Sequence, residues 1–274
     1  MRILANGIDL CCEIAGAGPA VLMIQGVGVI GRGWRPQVEA LSRQFTVITF
    51  DNRGMGESAP GSGPLTIEAM AADALALMDS QRIDRFHLVG HSMGGVIAQA
   101  VALAAPSRVK SLSLLCTFVN GRDAMRLSAA GMIKAMRSRL GTRAMRRRGM
   151  LRLIMPDDYL GSVDNAALAA DLAVLFGHDL GDQPPIAMAQ LRATSRYNVS
   201  ARLAALAAIP TLVMSGRHDP IASPPTGRAL AAAIGTARYV EFEQASHALP
   251  IQCASEVNTL LLEHLLNAER AALV

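Results

Sequence analysis

Short runs that are apolar at nearly every position alternate along this chain with longer Ala- and Leu-rich stretches whose apolar residues recur every three or four positions. The short runs are residues 20–25, 45–50, 86–90, 109–116, 211–215 and 238–242. Several leave no polar face, as strands buried on both sides of a sheet do. The longer stretches predict helices near 34–42, 67–80, 92–105, 224–233 and 254–268. This strand–helix alternation implies an α/β fold with a mostly parallel central sheet and helices on both faces. Residues 1–14 alternate polar and apolar around Asn6-Gly7, the dipeptide of a tight antiparallel hairpin, and belong on the sheet edge.

The alternation stops near Asn120 and resumes near Ile209. The intervening patterns are helical, with breaks at Gly141, Pro156, Gly161 and Pro184-Pro185, and they contain no convincing strand. The organisation is therefore a core of residues 1–119 and 200–274 interrupted by a helical insertion, 120–199. No internal repeat is visible.

Composition narrows the class. Of the 274 residues, 51% are hydrophobic and 18% charged, which excludes a disordered chain. No apolar run reaches the roughly 18 residues that span a bilayer, and the first ten residues carry Asn, Gly and Asp where a signal peptide needs an unbroken apolar stretch. The expectation is a soluble, cytoplasmic protein without stable membrane insertion. Cys11, Cys12, Cys116 and Cys253 form no C-x-x-C pair and have no His cluster beside them, so they read as small buried hydrophobes rather than a disulfide framework or metal site.

The net charge of +4 is unevenly placed. Residues 120–155 hold ten Lys/Arg against one acid, Asp123, whereas 156–199 hold six Asp against two Arg. A basic excess confined to one segment argues against a nucleic-acid-binding surface. The plain reading is a solvated face, part of it paired with the acidic half of the insertion. The sharper readings are attraction of an anionic substrate and contact with an acidic membrane or protein surface.

Chemistry enters at Gly90-His91-Ser92-Met93-Gly94-Gly95, between a predicted strand and a predicted helix. G-x-S-x-G in that context is a nucleophile elbow. A sharp turn holds the serine strained with its hydroxyl exposed, and side chains two positions either side would collide, so both are Gly. The Met93 N–H then opens the helix and points where an oxyanion would form.

On this motif the chain resembles the α/β-hydrolase superfamily, and within it the small cap-bearing esterase, enol-lactonase and haloperoxidase-like group. The resemblance covers about 7–121 and 208–266 and weakens in the insertion. Asp51-Asn52-Arg53-Gly54-Met55-Gly56-Glu57-Ser58 matches the family's D-x-R-G-x-G-x-S turn, and Gln25-Gly26-Val27-Gly28 stands where the family has its oxyanion loop. That resemblance implies Val27 N–H as a second oxyanion donor. Relatives have His where Gln25 stands, and a Gln can brace the same loop because it both donates and accepts.

The family orders its triad Ser, acid, His. Here the loop after strand 211–215 carries Asp219 and the loop after 238–242 carries His247. The resemblance makes Ser92 the nucleophile, His247 the base and Asp219 its orienter. His91 is expected to point away from the hydroxyl toward the pocket wall, while His87 and His178 sit in no motif. Gly26, Trp34 and His91 are candidate substrate contacts, with Met93 beside them. Seven of the fourteen Met fall in the insertion, at 125, 132, 136, 145, 150, 155 and 188, and suit either an adaptable apolar pocket or ordinary helix packing.

A decoy overlaps the oxyanion loop. Gly26-Val27-Gly28-Val29-Ile30-Gly31 is literally G-x-G-x-x-G, with Asp51 twenty residues further on. A dinucleotide site needs a helix opening at the third glycine, and Gly33 and Pro36 oppose one. The expectation is a cofactor-free, metal-free serine hydrolase that cleaves small carboxylic esters of short to medium acyl chain. Enol-lactone hydrolysis, C–C cleavage and peracid formation stay open, as does a ligand receptor that retains the triad. No nucleic-acid partner is expected, and a homo-oligomer is left open.

Overall fold

The computed structural model describes residues 1–125 and 127–271. Arg126 of the basic stretch and the side chain of Met125 lie outside what is described.

The chain opens with the hairpin β1 (Arg2–Ala5) and β2 (Ile8–Ala15), turned by Asn6 and Gly7 with φ of 49° and 74°. Both residues take the left-handed conformation that a two-residue hairpin loop demands. Six strands follow: β3 (Ala20–Ile24), β4 (Thr46–Phe50), β5 (Phe86–His91), β6 (Val109–Leu115), β7 (Thr211–Gly216) and β8 (Arg238–Phe242). The sheet order is β1-β2-β4-β3-β5-β6-β7-β8. β1 and β2 run antiparallel to their neighbours and all other pairs are parallel. The central strands β3 and β7 are buried at every position, whereas edge strand β8 is half-buried, as its mixed sequence requires.

The core helices are α1 (Arg35–Leu41), α2 (Ile67–Ser80) and α3 (Met93–Ala104), and later in the chain α9 (Pro224–Ile234), α10 (Leu249–Gln252) and α11 (Ala254–Ala271). α2 packs on α3 and α1 on α11, enclosing the sheet between them. The Thr66 hydroxyl accepts from Ala69 N–H at 3.1 Å and starts α2.

Between β6 and β7 lie α4 (Ala129–Arg137), α5 (Arg143–Ile154), α6 (Asp157–Ser162), α7 (Asn165–Phe176) and α8 (Ala187–Arg196). The two ends of this helical segment meet: Asn120 and Asn198 form an antiparallel bridge, and Gly121 N–H donates to Tyr197 O at 3.0 Å. Inside it, Leu151, Ile154, Met155, Leu160 and Leu172 build a hydrophobic cluster separate from the main core. The core residues Ala248 and Ile221 touch this cluster and tie it to the sheet.

A buried ion pair fixes the loop after β4. Arg53 donates through Nε and an NH₂ to the two carboxylate oxygens of Asp73 on α2, both at 2.6 Å, and Asn6 adds a third bond at 2.8 Å. The bidentate geometry satisfies a charge that could not otherwise stay buried.

Candidate active site

β5 ends at His91, and α3 starts at Met93 with no side-chain cap. Ser92 stands at the capping position with φ 55° and ψ −121°, a conformation that L-residues avoid. The turn closes so tightly that a Cβ on Gly90 would lie 2.3 Å from Gly94 O, and one on Gly94 would lie 2.0 Å from Ile24 O. Only glycine fits at either place. Instead of capping its own helix, the Ser92 hydroxyl turns toward His247.

His247 Nε2 lies 3.0 Å from Ser92 Oγ, and its Nδ1 lies 2.8 Å from Asp219 Oδ2. With the Nδ1 proton donated to the carboxylate, Nε2 is left to accept from the hydroxyl. Asp219 is buried, and its other oxygen accepts from Ile221 and Ala222 N–H at 2.8 and 2.9 Å. Burial alone would push its carboxyl up, but the adjacent His247 and these backbone bonds bring it below its ordinary value. The three residues come from loops after β5, β7 and β8, which open on one sheet edge as the parallel strands dictate. The arrangement can take a proton from Ser92 and stabilise the resulting imidazolium.

The loop after β3 approaches from the other side. A Cβ on Gly26 would stand 3.0 Å from Ser92 Cβ. Neither Val27 N–H nor Met93 N–H has an acceptor among the described residues. Gln25 contributes little to bracing this loop: its Oε1 accepts from Gly26 N–H at a long 3.3 Å. Asn52 Nδ2 donates to Gln25 O at 3.1 Å, and two shorter bonds come from the helical segment. Gly28 N–H donates to Gln190 Oε1 of α8 at 2.9 Å, and Gly28 O accepts from His178 Nε2 at 2.8 Å. Both residues were invisible as site residues in the sequence. Their partner lies about 150 positions away or more, and neither sits in a motif.

Ser92 and His247 form part of the floor of a cavity of about 160 Å³. Met150, Leu153, Ile154, Phe176 and Leu180 of the helical segment line it, and Arg139, His178, Gln183 and Thr194 add polar groups. Gly26, Val27, Met93 and His91 also line it. His91 presents its ring to the cavity, but its Nε2–H donates to His247 O at 2.8 Å. Burial and the neighbouring His247 push its pKa down to about 3, so it holds the His247 backbone as a neutral imidazole.

Trp34 is a correction. It lies outside the cavity lining, fully buried, with its ring edge-on to His91 at 6.3 Å between centroids. A 3₁₀ turn, Gly31–Trp34, carries the indole inward behind the site. That turn also disposes of the dinucleotide pattern, since no α-helix opens at Gly31. Asp51 instead accepts from Gly31 N–H at 2.7 Å and Glu57 N–H at 3.2 Å, joining two loops. Of the insertion methionines, Met150 lines the cavity and Met155 is buried in the helical cluster, whereas Met132, Met136, Met145 and Met188 are exposed.

Residues 19–252 match the sequence profile of the α/β hydrolase fold. The chain belongs to that family. A family member from Azorhizobium caulinodans, provisionally named carbamate hydrolase RutD, is 32% identical over 93% of this chain and 94% of its own length. Among solved structures of the fold, the enol-lactonase of Burkholderia xenovorans LB400 superposes with a TM-score of 0.79 at 29% identity, covering 97% of this chain and 99% of that one. A thermophilic esterase from Thermogutta terrifontis gives 0.78 at 26% identity, covering 98% of both chains. This α/β hydrolase therefore keeps company with proteins named for carbamate, lactone and ester cleavage, three acyl substrates with one carbonyl chemistry. Among its described residues, no helix is long and apolar enough to cross a membrane.

Proposed function

We propose that this hydrolase cleaves carboxylic esters of short to medium acyl chain through Ser92, His247 and Asp219. The observation that carries the reading is the unbroken hydrogen-bonded series Asp219–His247–Ser92 beneath an apolar cavity. Ser92 attacks the carbonyl as His247 takes its proton, and Val27 and Met93 N–H receive the developing oxyanion. His247 then protonates the leaving alkoxide, and water repeats the sequence on the acyl-enzyme. The helical segment 120–199 acts as the cap: it roofs the cavity, and its apolar side chains select the acyl group.

A second reading has specific support. The relatives named RutD favour carbamates, in which the same attack leaves a carbamoyl-enzyme. Hydrolysis of p-nitrophenyl esters from acetyl to dodecanoyl, beside a p-nitrophenyl carbamate, separates the two. Ester turnover that peaks at short or medium chains and vanishes in Ser92→Ala supports the esterase. A faster steady state on the carbamate than on every ester moves the assignment to carbamates. Stoichiometric labelling by a serine-directed phosphonate without turnover of either substrate points to a receptor.

A further inference from the structure

α4 is amphipathic the wrong way round for a helix on a protein surface. Its inward positions are small: Gly131 and Ser138 are buried, and Ala135 rests on the helical cluster. The packing is close, since a Cβ on Gly149 of α5 would come within 2.4 Å of the Arg137 backbone. The large apolar residues point outward. Met132, Ile133, Met136 and Leu140 fall on one face at helical spacing, with Met145 of α5 beside them, and each is 46–60% exposed. Half of the exposed large hydrophobic residues found among the described residues fall in this one stretch of fourteen positions. A soluble helix normally turns that stripe to the core, and a clustered apolar patch marks a binding face.

The charge left unpaired around it has one sign. Arg143, Arg146 and Arg147 are held by Asp179 and Asp182, and Lys134 and Arg152 reach Asp157. Arg137, Arg139 and Arg148 have no acidic partner among the described residues and are exposed. A groove of about 430 Å³ runs between α4 and α5, lined by Met136, Leu140 and Met145 together with Arg137, Arg148 and Arg152. Cations and apolar side chains interleaved along one groove match a phospholipid, whose phosphate and acyl chain adjoin in the same way.

We infer that the α4–α5 hairpin is a peripheral docking surface for a membrane rich in anionic lipid. The apolar stripe enters the boundary between headgroups and acyl chains, and the unpaired guanidinium groups bind lipid phosphates. Arg139 also lines the central cavity, so docking turns that side of the cavity toward the bilayer. A second copy of this chain is a poor occupant, because a symmetric contact would press the same unpaired cations against one another.

The test is co-sedimentation of the full chain with phosphatidylcholine vesicles and with vesicles holding about one third phosphatidylglycerol. Binding is expected to the anionic vesicles and to fall with added salt. In one variant Met132, Ile133, Met136 and Leu140 become Ser, and in a second Arg137→Gln joins Arg148→Gln. Each should weaken partitioning by at least about tenfold, with an unchanged circular dichroism spectrum. The Arg pair keeps the test informative should the Ser variant fold poorly. Equal binding to both vesicle types, or no loss in the Arg variant, overturns the inference. So does tighter binding to poly-glutamate than to anionic vesicles, which would make the face an acidic-protein site. Loss of a concentration-dependent dimer in the Ser variant, with no vesicle binding by the parent, overturns it as well. Vesicle binding is read without turnover, so the outcome is independent of the hydrolytic assignment.

Discussion

Ser92 is held in a backbone conformation that favours glycine, and its hydroxyl is used neither to cap α3 nor to bond the backbone. The strain is useful only if the hydroxyl reacts. Ser92→Ala is expected to abolish ester turnover while leaving the melting temperature unchanged or raised, because the hydroxyl contributes no structural bond. Asp219→Asn should lower kcat by about 10⁴-fold, since the amide selects the wrong imidazole tautomer. Near-parental activity in Asp219→Asn would remove this carboxylate from the mechanism. Gln190→Ala releases the Gly28 N–H and should cost about tenfold in kcat with little change in KM. Outright loss of an oxyanion donor costs roughly 10²- to 10³-fold. Gln190→Glu, which still accepts, should restore most of the rate if positioning is the role.

These residues also show what sequence can carry. Ser92 and its flanking glycines were legible because the elbow is built from contacts within a few positions. Asp219 and His247 were legible because the family resemblance orders acid and base after the serine, and parallel strands send the loops that carry them to the elbow's edge. Gln190 and His178 were not, since their roles exist only where two distant segments touch. Trp34 misled because proximity in sequence to the oxyanion loop says nothing about which way a 3₁₀ turn sends a ring.

At the scale of elements, the helical segment is clamped by α5. The Arg147 side chain bonds Asp179 and draws its carboxyl down to about 2, with Gly181 N–H and Arg143 assisting. A carboxylate with a lowered pKa stabilises the fold above its ordinary value, and the contribution disappears as pH falls from about 4 to about 2. Hydrogen exchange across α5 and residues 177–183 should therefore quicken within that window. Asp179→Asn should show the quickened exchange already at neutral pH, and an unchanged pattern would mean that the clamp is screened by solvent. The Arg53–Asp73 pair is buried and should behave differently. Arg53→Met leaves an unpaired carboxylate inside and should cost about 3–5 kcal/mol, read as a lower denaturant midpoint.

Across the whole molecule, two imidazoles are held as neutral groups, His87 and His91. Burial pushes His87 down to about 4 and His91 to about 3, and it lowers His264 as well. Unfolding lets His87 and His91 return to their ordinary 6.5 and take up a proton. Below that value the unfolded state binds more protons than the native one, so stability falls as pH drops from about 6.5 toward 4. The slope is about 1.4 kcal/mol per pH unit for each of these two histidines. Melting temperatures measured across this range should decline, and His87→Gln should flatten the decline. A flat profile in the parent would show that these rings are protonated in place.

The bridge between Asn120 and Asn198 has a consequence for how such enzymes can diversify. Because the ends of the segment already touch, a different set of helices could be grafted between β6 and β7 without disturbing strand order. Pocket shape would then be an exchangeable part. Gln190 and His178 travel with that part, however, and they hold Gly28, the residue next to Val27, whose N–H is the proposed oxyanion donor. Any transplanted roof must bring its own clasp for Gly28, so a chimera that swaps selectivity also inherits, or forfeits, part of its rate.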